Sequence, residues 1–223
     1  MTGPEAGRTQ TRRTAAPPGE GAGRGSVVDS QLTKGREMAI EAELKAVIRD
    51  PERVLKALEE RYGAGRAEVY RDTYYDAPDG SLMGADRELR IRTVHGPDDT
   101  RTVLTYKGAR VDEASGSKPE AETRVEDAQA AHEIVCGLGF VSRIAFEKRC
   151  RNYVFTQDGR QLLATLVRVP EIDGTFIELE TAAAEDDLGP ALAVVRSVLT
   201  SLGIGDEDLT TEQYTDAVAA VRS

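Results

Sequence analysis

Ile40-Glu41-Ala42-Glu43-Leu44-Lys45 alternates apolar and charged residues with a strict period of two. On a β-strand this period sends Glu41, Glu43 and Lys45 to one face and Ile40, Ala42 and Leu44 to the other. Taken alone, the run has two readings. In one, the charges face water as an exposed, paired row. In the other, they face an enclosed space, where two carboxylates and an ammonium suit a hydrated divalent cation with a phosphate beside it. Magnesium and manganese take oxygen ligands of this kind, usually one or two carboxylates plus substrate phosphates.

The same alternation recurs along the chain. In Arg87-Glu88-Leu89-Arg90-Ile91-Arg92, Arg90 and Arg92 share a face opposite Leu89 and Ile91. Lys107 ends the run Thr105-Tyr106-Lys107, and Glu120, Glu122 and Arg124 form another same-face row. Phe146-Glu147-Lys148-Arg149-Cys150-Arg151 is densely basic, and in Phe176-Ile177-Glu178-Leu179-Glu180 the two glutamates alternate with Ile177 and Leu179. For any one strand, solvent is the ordinary destination of such charges. As a set they fall in an order: acidic rows on the first, 119–125 and last strands, basic rows on strands between them. If the apolar faces pack against outer helices, the charged faces line a barrel interior. There each charge must be paired or hold an ion, because leaving it unpaired costs several kcal/mol.

Strands are expected near 38–46, 67–76, 86–94, 101–107, 119–125, 143–157, 161–168 and 174–181, with a bend in the 143–168 stretch. Short turns such as Pro78-Asp79-Gly80, Gly96-Pro97-Asp98-Asp99 and Gln157-Asp158-Gly159 imply antiparallel pairing. Asp50-Pro51-Glu52 starts a helix that runs to Tyr62 and stops at Gly63, and Asp127 caps a second through Leu138. Further helices are expected near 187–202 and 211–221. Leu188, Leu192, Val194, Val195, Val198 and Leu199 stand at helical spacing, as barrel cover or as a homodimer face. The expected fold is therefore α+β: an eight-stranded antiparallel β-barrel, or tunnel, with a polar, charged interior surrounded by helices.

Residues 1–37 differ in kind, being rich in Gly, Ala, Pro, Thr and Arg with a net charge of +2 against −12 for the remainder. They read as a disordered N-terminal arm before a folded domain at 38–223. Gly21-Ala22-Gly23-Arg24-Gly25 follows no strand and precedes no helix, so it is not a phosphate loop. The formal charge of −10 argues against a nucleic-acid partner, although a cleft can concentrate positive charge inside an acidic protein. No apolar stretch approaches the roughly 18 residues of a membrane span, and the start has no hydrophobic signal core. Cys136 and Cys150 form no CxxC or Cys/His ligand set, so reduced thiols in a cytoplasmic protein are expected and zinc is not.

These pieces resemble the CYTH, or triphosphate tunnel, family, which includes class IV adenylate cyclases and thiamine triphosphatases. The resemblance runs from about Met38 to the C-terminus. It rests on Glu41-Ala42-Glu43-Leu44-Lys45, Tyr74-Tyr75-Asp76 with the following Leu82, Leu89-Arg90-Ile91-Arg92, Tyr106-Lys107-Gly108, Pro119-Glu120-Ala121-Glu122, Phe146-Glu147-Lys148 and Phe176-Ile177-Glu178-Leu179-Glu180, all in family order. Tyr74-Tyr75-Asp76 and Phe146-Glu147-Lys148 look closest to the bacterial class IV cyclase branch.

The resemblance implies a tunnel that binds a small-molecule triphosphate with Mg²⁺ or Mn²⁺. Glu41 and Glu43 resemble metal-side carboxylates, joined by Glu178 and Glu180. Lys45, Arg90, Arg92, Lys107 and Lys148 resemble the phosphate clamp, and Arg124, on the Glu120-Glu122 row, is expected to bind the triphosphate with them. Glu120 and Glu122 resemble an acidic row that orients those bases or helps hold a second metal. Glu41, Glu43, Lys45 and Lys148 are the residues expected to carry catalysis. The chemistry implied is cyclisation of a nucleoside triphosphate to a 3′,5′-cyclic nucleotide plus pyrophosphate, with a triphosphatase or a non-catalytic triphosphate-binding protein as alternatives. His95 and His132 are expected to be incidental.

The chain departs from the family pattern twice. Many members carry an Asp several residues before the final E-x-E strand, where this chain reads Leu166-Val167-Arg168-Val169-Pro170-Glu171-Ile172-Asp173-Gly174. Glu171 or Asp173 is the candidate substitute. Many members also carry Arg two residues after the equivalent of Lys148, where this chain has Cys150. Arg149 and Arg151 flank it, but on a regular strand both point away from the face of Lys148.

Overall fold

The alternating run at 40–45 lies within β1 (Ala39–Val47), one stave of a closed barrel in this computed structural model, which describes residues 38–223. The arm expected over residues 1–37, with its Gly21–Gly25 stretch, lies outside the described residues. In chain order there follow α1 (Pro51–Tyr62), β2 (Arg66–Asp76), the single turn α2 (Ser81–Gly84), β3 (Glu88–His95), β4 (Thr100–Lys107) and β5 (Lys118–Val125). Then come α3 (Ala128–Gly137), β6 (Val141–Gln157), β7 (Arg160–Arg168), β8 (Phe176–Ala183), α4 (Leu188–Ser201) and α5 (Tyr214–Arg222).

The strands close in the order β1-β5-β4-β3-β2-β6-β7-β8, with every neighbouring pair antiparallel. Two hairpin series, β2 to β5 and β6 to β8, are joined on one side by β2–β6 pairing. On the other side β1 seals the gap, pairing from Val47 to Ile40 with β8 but only over Ala39–Glu41 with β5. Local chemistry sets the element ends as expected. The Asp50 side chain accepts a hydrogen bond from the Arg53 amide and Asp127 accepts from Gln129 and Ala130, capping α1 and α3. Gly63, at φ 80°, ends α1, and Asp158-Gly159, both at positive φ, turns β6 into β7.

Two expectations are corrected and one element is added. β6 is one continuous 17-residue strand, not a bent pair, and the irregularity of its pairing with β2 lies at Arg143, which is skipped where Tyr74 faces Ile144 and Tyr75 faces Ser142. The last helix starts at Tyr214, after an extended stretch from Leu209, so residues 211–213 are not helical. The added element is α2, which has too few residues to show a period in sequence.

Ile40, Ala42, Leu44 and Ala46 of β1 are all buried on the outer face of the barrel. Leu44, Leu162, Ile177 and Leu179 pack with Leu58 of α1 and Val195, Val198 and Leu199 of α4 into one core. Small residues let α4 approach closely, Ala191 meeting Ala42 and Ala183. α3 covers another sector, with Ala131 and Val135 against Tyr75 and Ile91. With the apolar faces used up outside, the alternating charges have no destination but the interior. Among the described residues no helix is long and apolar enough to cross a membrane.

Leu179 is 0% exposed between barrel and α4 helix. Leu179→Ala should lower unfolding free energy by about 3 kcal/mol, read as a fall in urea midpoint with an unchanged slope.

Candidate active site

Register builds the acidic wall. Glu43 stands directly opposite Glu180 across the β1–β8 ladder, and Glu41 is one pleat further along. The carboxylates of Glu41, Glu43 and Glu180 each place an oxygen within 4.8 Å of the others. Burial, with the charges of Glu178 and Glu41, pushes the Glu43 carboxyl up to about 7. Burial and the charges of Glu41 and Glu43 push Glu180 well above the usual carboxylate range. Burial acts the same way on Glu41, but the adjacent Lys107 ammonium outweighs it and holds this carboxyl below its ordinary value. Oxygen donors of like charge held this close fit a hard divalent cation, which removes their mutual repulsion.

The basic wall comes from β3, β4, β6 and the end of β1. Arg92 forms a bidentate pair with Asp72, both bonds 2.7 Å, and its guanidinium lies 4.4 Å from the Tyr70 ring centroid. Asp72 is fully buried; burial opposes its charge, yet Arg92 keeps it strongly acidic. Arg90 donates from Nη2 to Thr105 Oγ1 at 3.3 Å, and Thr105 donates in turn to Glu122 at 2.9 Å. Among the described residues, the Arg90 Nε is buried with no partner. Lys107 bridges Glu41 and Glu120, and Lys148 Nζ lies 3.7 Å from Glu178. Lys45, directly opposite Glu178, donates to the Glu212 carbonyl. Burial lowers the Lys45 ammonium despite Glu178 and Glu43. For Lys107 burial is outweighed by Glu41 and Glu120, which raise it.

These groups surround a cavity of about 260 Å³. Glu41, Glu43, Lys45, Arg90, Arg92, Lys107, Glu120, Glu122, Lys148, Glu178 and Glu180 all line it. Arg124, expected to bind the triphosphate, does not: it stands on β5 opposite Val103, beyond the residues of β5 that β1 pairs, and is exposed. Neither histidine lines it, and His132 instead hydrogen-bonds the Tyr75 hydroxyl at 2.8 Å. The interior also contains residues that sequence reading passed over. Asp72 lies in the alternation Tyr70-Asp72-Tyr74, Glu88 heads the Glu88-Arg90-Arg92 row, and Lys118 heads Lys118-Glu120-Glu122, so parity would have found all three. Lys118 pairs with Glu88 at 2.9 Å. Tyr214, from the start of α5, had no such signal.

The two departures meet in space: Cys150 lies against Val167, its direct partner across the β6–β7 ladder, within the stretch where many members carry an Asp. Both are buried in an apolar cluster with Phe146, Val169 and Tyr214, and burial pushes the Cys150 thiol up to about 12. The candidate substitutes do not reach the tunnel: Glu171 pairs with Arg222 and Asp173 is exposed. Arg149 and Arg151 point outward to Glu147 and Glu59.

A second recess of about 380 Å³ adjoins the tunnel at the start of β1 and the end of β8, sharing Glu41, Glu120 and Glu180 with it. Leu163 lines both, and the inward side chains that complete the recess are Ala39, Val154, Gln161 and Ala182, mostly aliphatic and with no aromatic residue among the described residues. From this recess, β1 presents Glu41, then Glu43, then Lys45.

The CYTH domain profile matches residues 39–214, the whole barrel through Tyr214. The chain belongs to the CYTH family. It is 25% identical over 177 residues to a Methanocaldococcus jannaschii protein named "Putative adenylate cyclase", covering 78% of this chain and 96% of that one. A Pyrococcus horikoshii structure is 27% identical with a TM-score of 0.71, covering 81% of this chain and 98% of that one. A Hippeastrum protein, 17% identical with a TM-score of 0.59 over 82% of this chain and 96% of its own, shares the fold. A tunnel of the CYTH family implies a divalent metal, and the carboxylate trio is the group of donors here that fits one.

The acidic wall of this CYTH barrel makes a pH prediction. Glu43 has a folded-state value near 7 against an ordinary 4.5, so the folded state holds a proton that the unfolded chain releases first. Its contribution to stability is therefore present at low pH and is lost as pH rises from about 4.5 to 7. In metal-free buffer, the Tm of Glu43→Gln should gain steadily on wild type across that window and level off above it. A gap that does not change with pH contradicts the assignment.

Proposed function

We propose that this CYTH protein is a metal-dependent enzyme acting on a nucleoside triphosphate, converting it to a 3′,5′-cyclic nucleotide and pyrophosphate. The observation that carries this reading is the polarity of the tunnel. Carboxylates, with Lys107 bridging two of them, stand next to the aliphatic recess, and most of the cations, Lys45, Lys148, Arg90 and Arg92, lie beyond them. A triphosphate whose organic group occupies the recess sets its α-phosphate beside Glu41, Glu43 and Glu180 and its β- and γ-phosphates among the cations. The bond that must break for cyclisation, between the α-phosphorus and the bridging oxygen, then spans the boundary between the two walls.

Glu41, Glu43 and Glu180 would hold the metal, Mg²⁺ or Mn²⁺. When bound, it supplies Lewis-acid polarisation of the phosphate and makes the attacking hydroxyl easier to deprotonate. Arg90 and Arg92 offer forked donors to phosphate oxygens, and the unpartnered Nε of Arg90 is one donor free for this use. Lys45 and Lys148 neutralise charge as pyrophosphate departs, which is the step where preorganised cations count most. Asp72 fixes the Arg92 fork, and Thr105 with Glu122 fixes Arg90, so neither has to reorganise when substrate arrives.

A second reading is hydrolysis, with water attacking the terminal phosphorus. It is supported by the absence of any aromatic residue in the recess on which a base would stack. The Hippeastrum protein of the same fold is described as revealing a dominant triphosphatase activity.

Incubating the protein with ATP, GTP, thiamine triphosphate and tripolyphosphate, each with Mg²⁺ or Mn²⁺, and resolving products by phosphorus NMR separates these readings. Cyclic nucleotide with pyrophosphate is expected. Orthophosphate with a diphosphate product makes the protein a hydrolase, and binding with no product makes it a non-catalytic triphosphate binder. Lys148→Ala should lower kcat by about 10²-fold or more, with Tm changed far less than in Leu179→Ala.

A further inference from the structure

The end of the tunnel remote from the recess is closed by a segment that no strand pattern announces. After α4 the chain runs extended from Leu209 to Gln213 and enters α5 at Tyr214. It is fastened to the end of β1 by the backbone: Leu209 bridges Ala46, and the Thr210 amide donates to the Lys45 carbonyl at 2.9 Å. The Lys45 ammonium donates back to the Glu212 carbonyl. Tyr214 is thereby set into the barrel, 6% exposed, among Cys150, Val167 and Phe146. Phe176 meets its ring edge-on at a centroid distance of 5.3 Å, which fixes the ring plane.

Two features of Tyr214 are not explained by packing. Its ring carries both terminal lysines of the clamp, with Lys148 Nζ 4.1 Å and Lys45 Nζ 4.6 Å from the centroid. One aromatic ring shared by two ammonium groups holds together charges that repel each other. Its hydroxyl is buried in the cavity with Glu43 and Glu178, and among the described residues no group meets it in full hydrogen-bonding geometry. The Glu178 carboxylate is close enough to act on it through its charge and a weak hydrogen bond, short of that geometry. A buried hydroxyl so weakly paired costs free energy, and a better-placed anionic acceptor would recover it.

We propose that Tyr214 is a substrate-contacting residue, whose hydroxyl donates a hydrogen bond to a non-bridging oxygen of the phosphate held between Lys45 and Lys148 while its ring positions both ammonium groups. The inference rests on the triphosphate reading of this tunnel. A tyrosine hydroxyl is protonated throughout the neutral range. It is therefore a donor there, and an anionic oxygen is the acceptor that suits it. The phosphate reached is the one farthest from the recess, so Tyr214 would set how deep a phosphate chain can run.

The test is calorimetric binding of tripolyphosphate with Mg²⁺ to wild type, Tyr214→Phe and Tyr214→Leu, with Tm measured for each. Tyr214→Phe keeps the ring and removes only the hydroxyl. It should weaken binding by about 10-fold to 100-fold while Tm holds or rises, since only a weakly paired group is lost. Tyr214→Leu should weaken binding further, because both lysines lose the ring. With a substrate that turns over, Tyr214→Phe should raise KM more than it lowers kcat, as expected for a contact made in ground and transition states alike. Wild-type affinity in Tyr214→Phe overturns the proposal. So does a Tm loss of many degrees in Tyr214→Phe, which would mean the hydroxyl has a structural partner. If wild type itself does not bind tripolyphosphate, the triphosphate reading fails and this inference falls with it.

Discussion

The pairing of β1 with β8 is the constraint on which the rest depends. It closes the barrel, and its register sets Glu43 against Glu180 and Lys45 against Glu178. Slipping β1 by one residue in that register would turn Glu41, Glu43 and Lys45 into the helical shell and Ile40, Ala42 and Leu44 into the tunnel. Burial of Leu44, Ile177 and Leu179 under α1 and α4 forbids the slip, so the hydrophobic core outside enforces the charge arrangement inside. Stability and site are consequences of the same alternation.

Enclosing so many charges is tolerable only because most are answered. Asp72 answers Arg92, Glu88 answers Lys118, and Glu41 and Glu120 share Lys107. What stays unanswered is informative. Glu43 and Glu180 lack a cation of their own and become weak acids, Arg90 Nε lacks an acceptor, and the Tyr214 hydroxyl lacks a well-placed one. The unmet demands of the acidic wall are for positive charge, and those of the opposite wall are for anionic oxygen. A metal and a phosphate chain meet both, which is why the unsatisfied groups describe the ligand better than the satisfied ones do.

The closed end follows a different logic. Cys150 and Val167, paired across β6 and β7, replace polar residues expected there with an apolar couple, and Tyr214 packs onto them. The couple makes an apolar seat for the ring that carries Lys45 and Lys148.

Period-two alternation by itself determined that charges and hydrophobes occupy opposite faces of each strand, because side-chain direction along a strand follows from backbone geometry. Glu41, Glu43, Lys45, Arg90, Arg92, Lys107, Lys148, Glu178 and Glu180 were therefore legible, as was the antiparallel barrel, from the turns and the ordered acidic and basic rows. Asp72, Glu88 and Lys118 were legible in principle by the same parity. Only the tertiary structure decided which residues at those parities remain inside. Arg124 obeys the alternation yet is exposed, since how far β1 runs along β5 is set by pairing and is not written in a period. It also decided that Cys150 faces Val167, a relation across two strands that depends on register. Tyr214 is the clearest case. A tyrosine that opens the last helix, on no strand face and far along the chain from Lys45 and Lys148, has no local pattern to mark it. Its place over those two lysines exists only once the chain end has folded back across the tunnel.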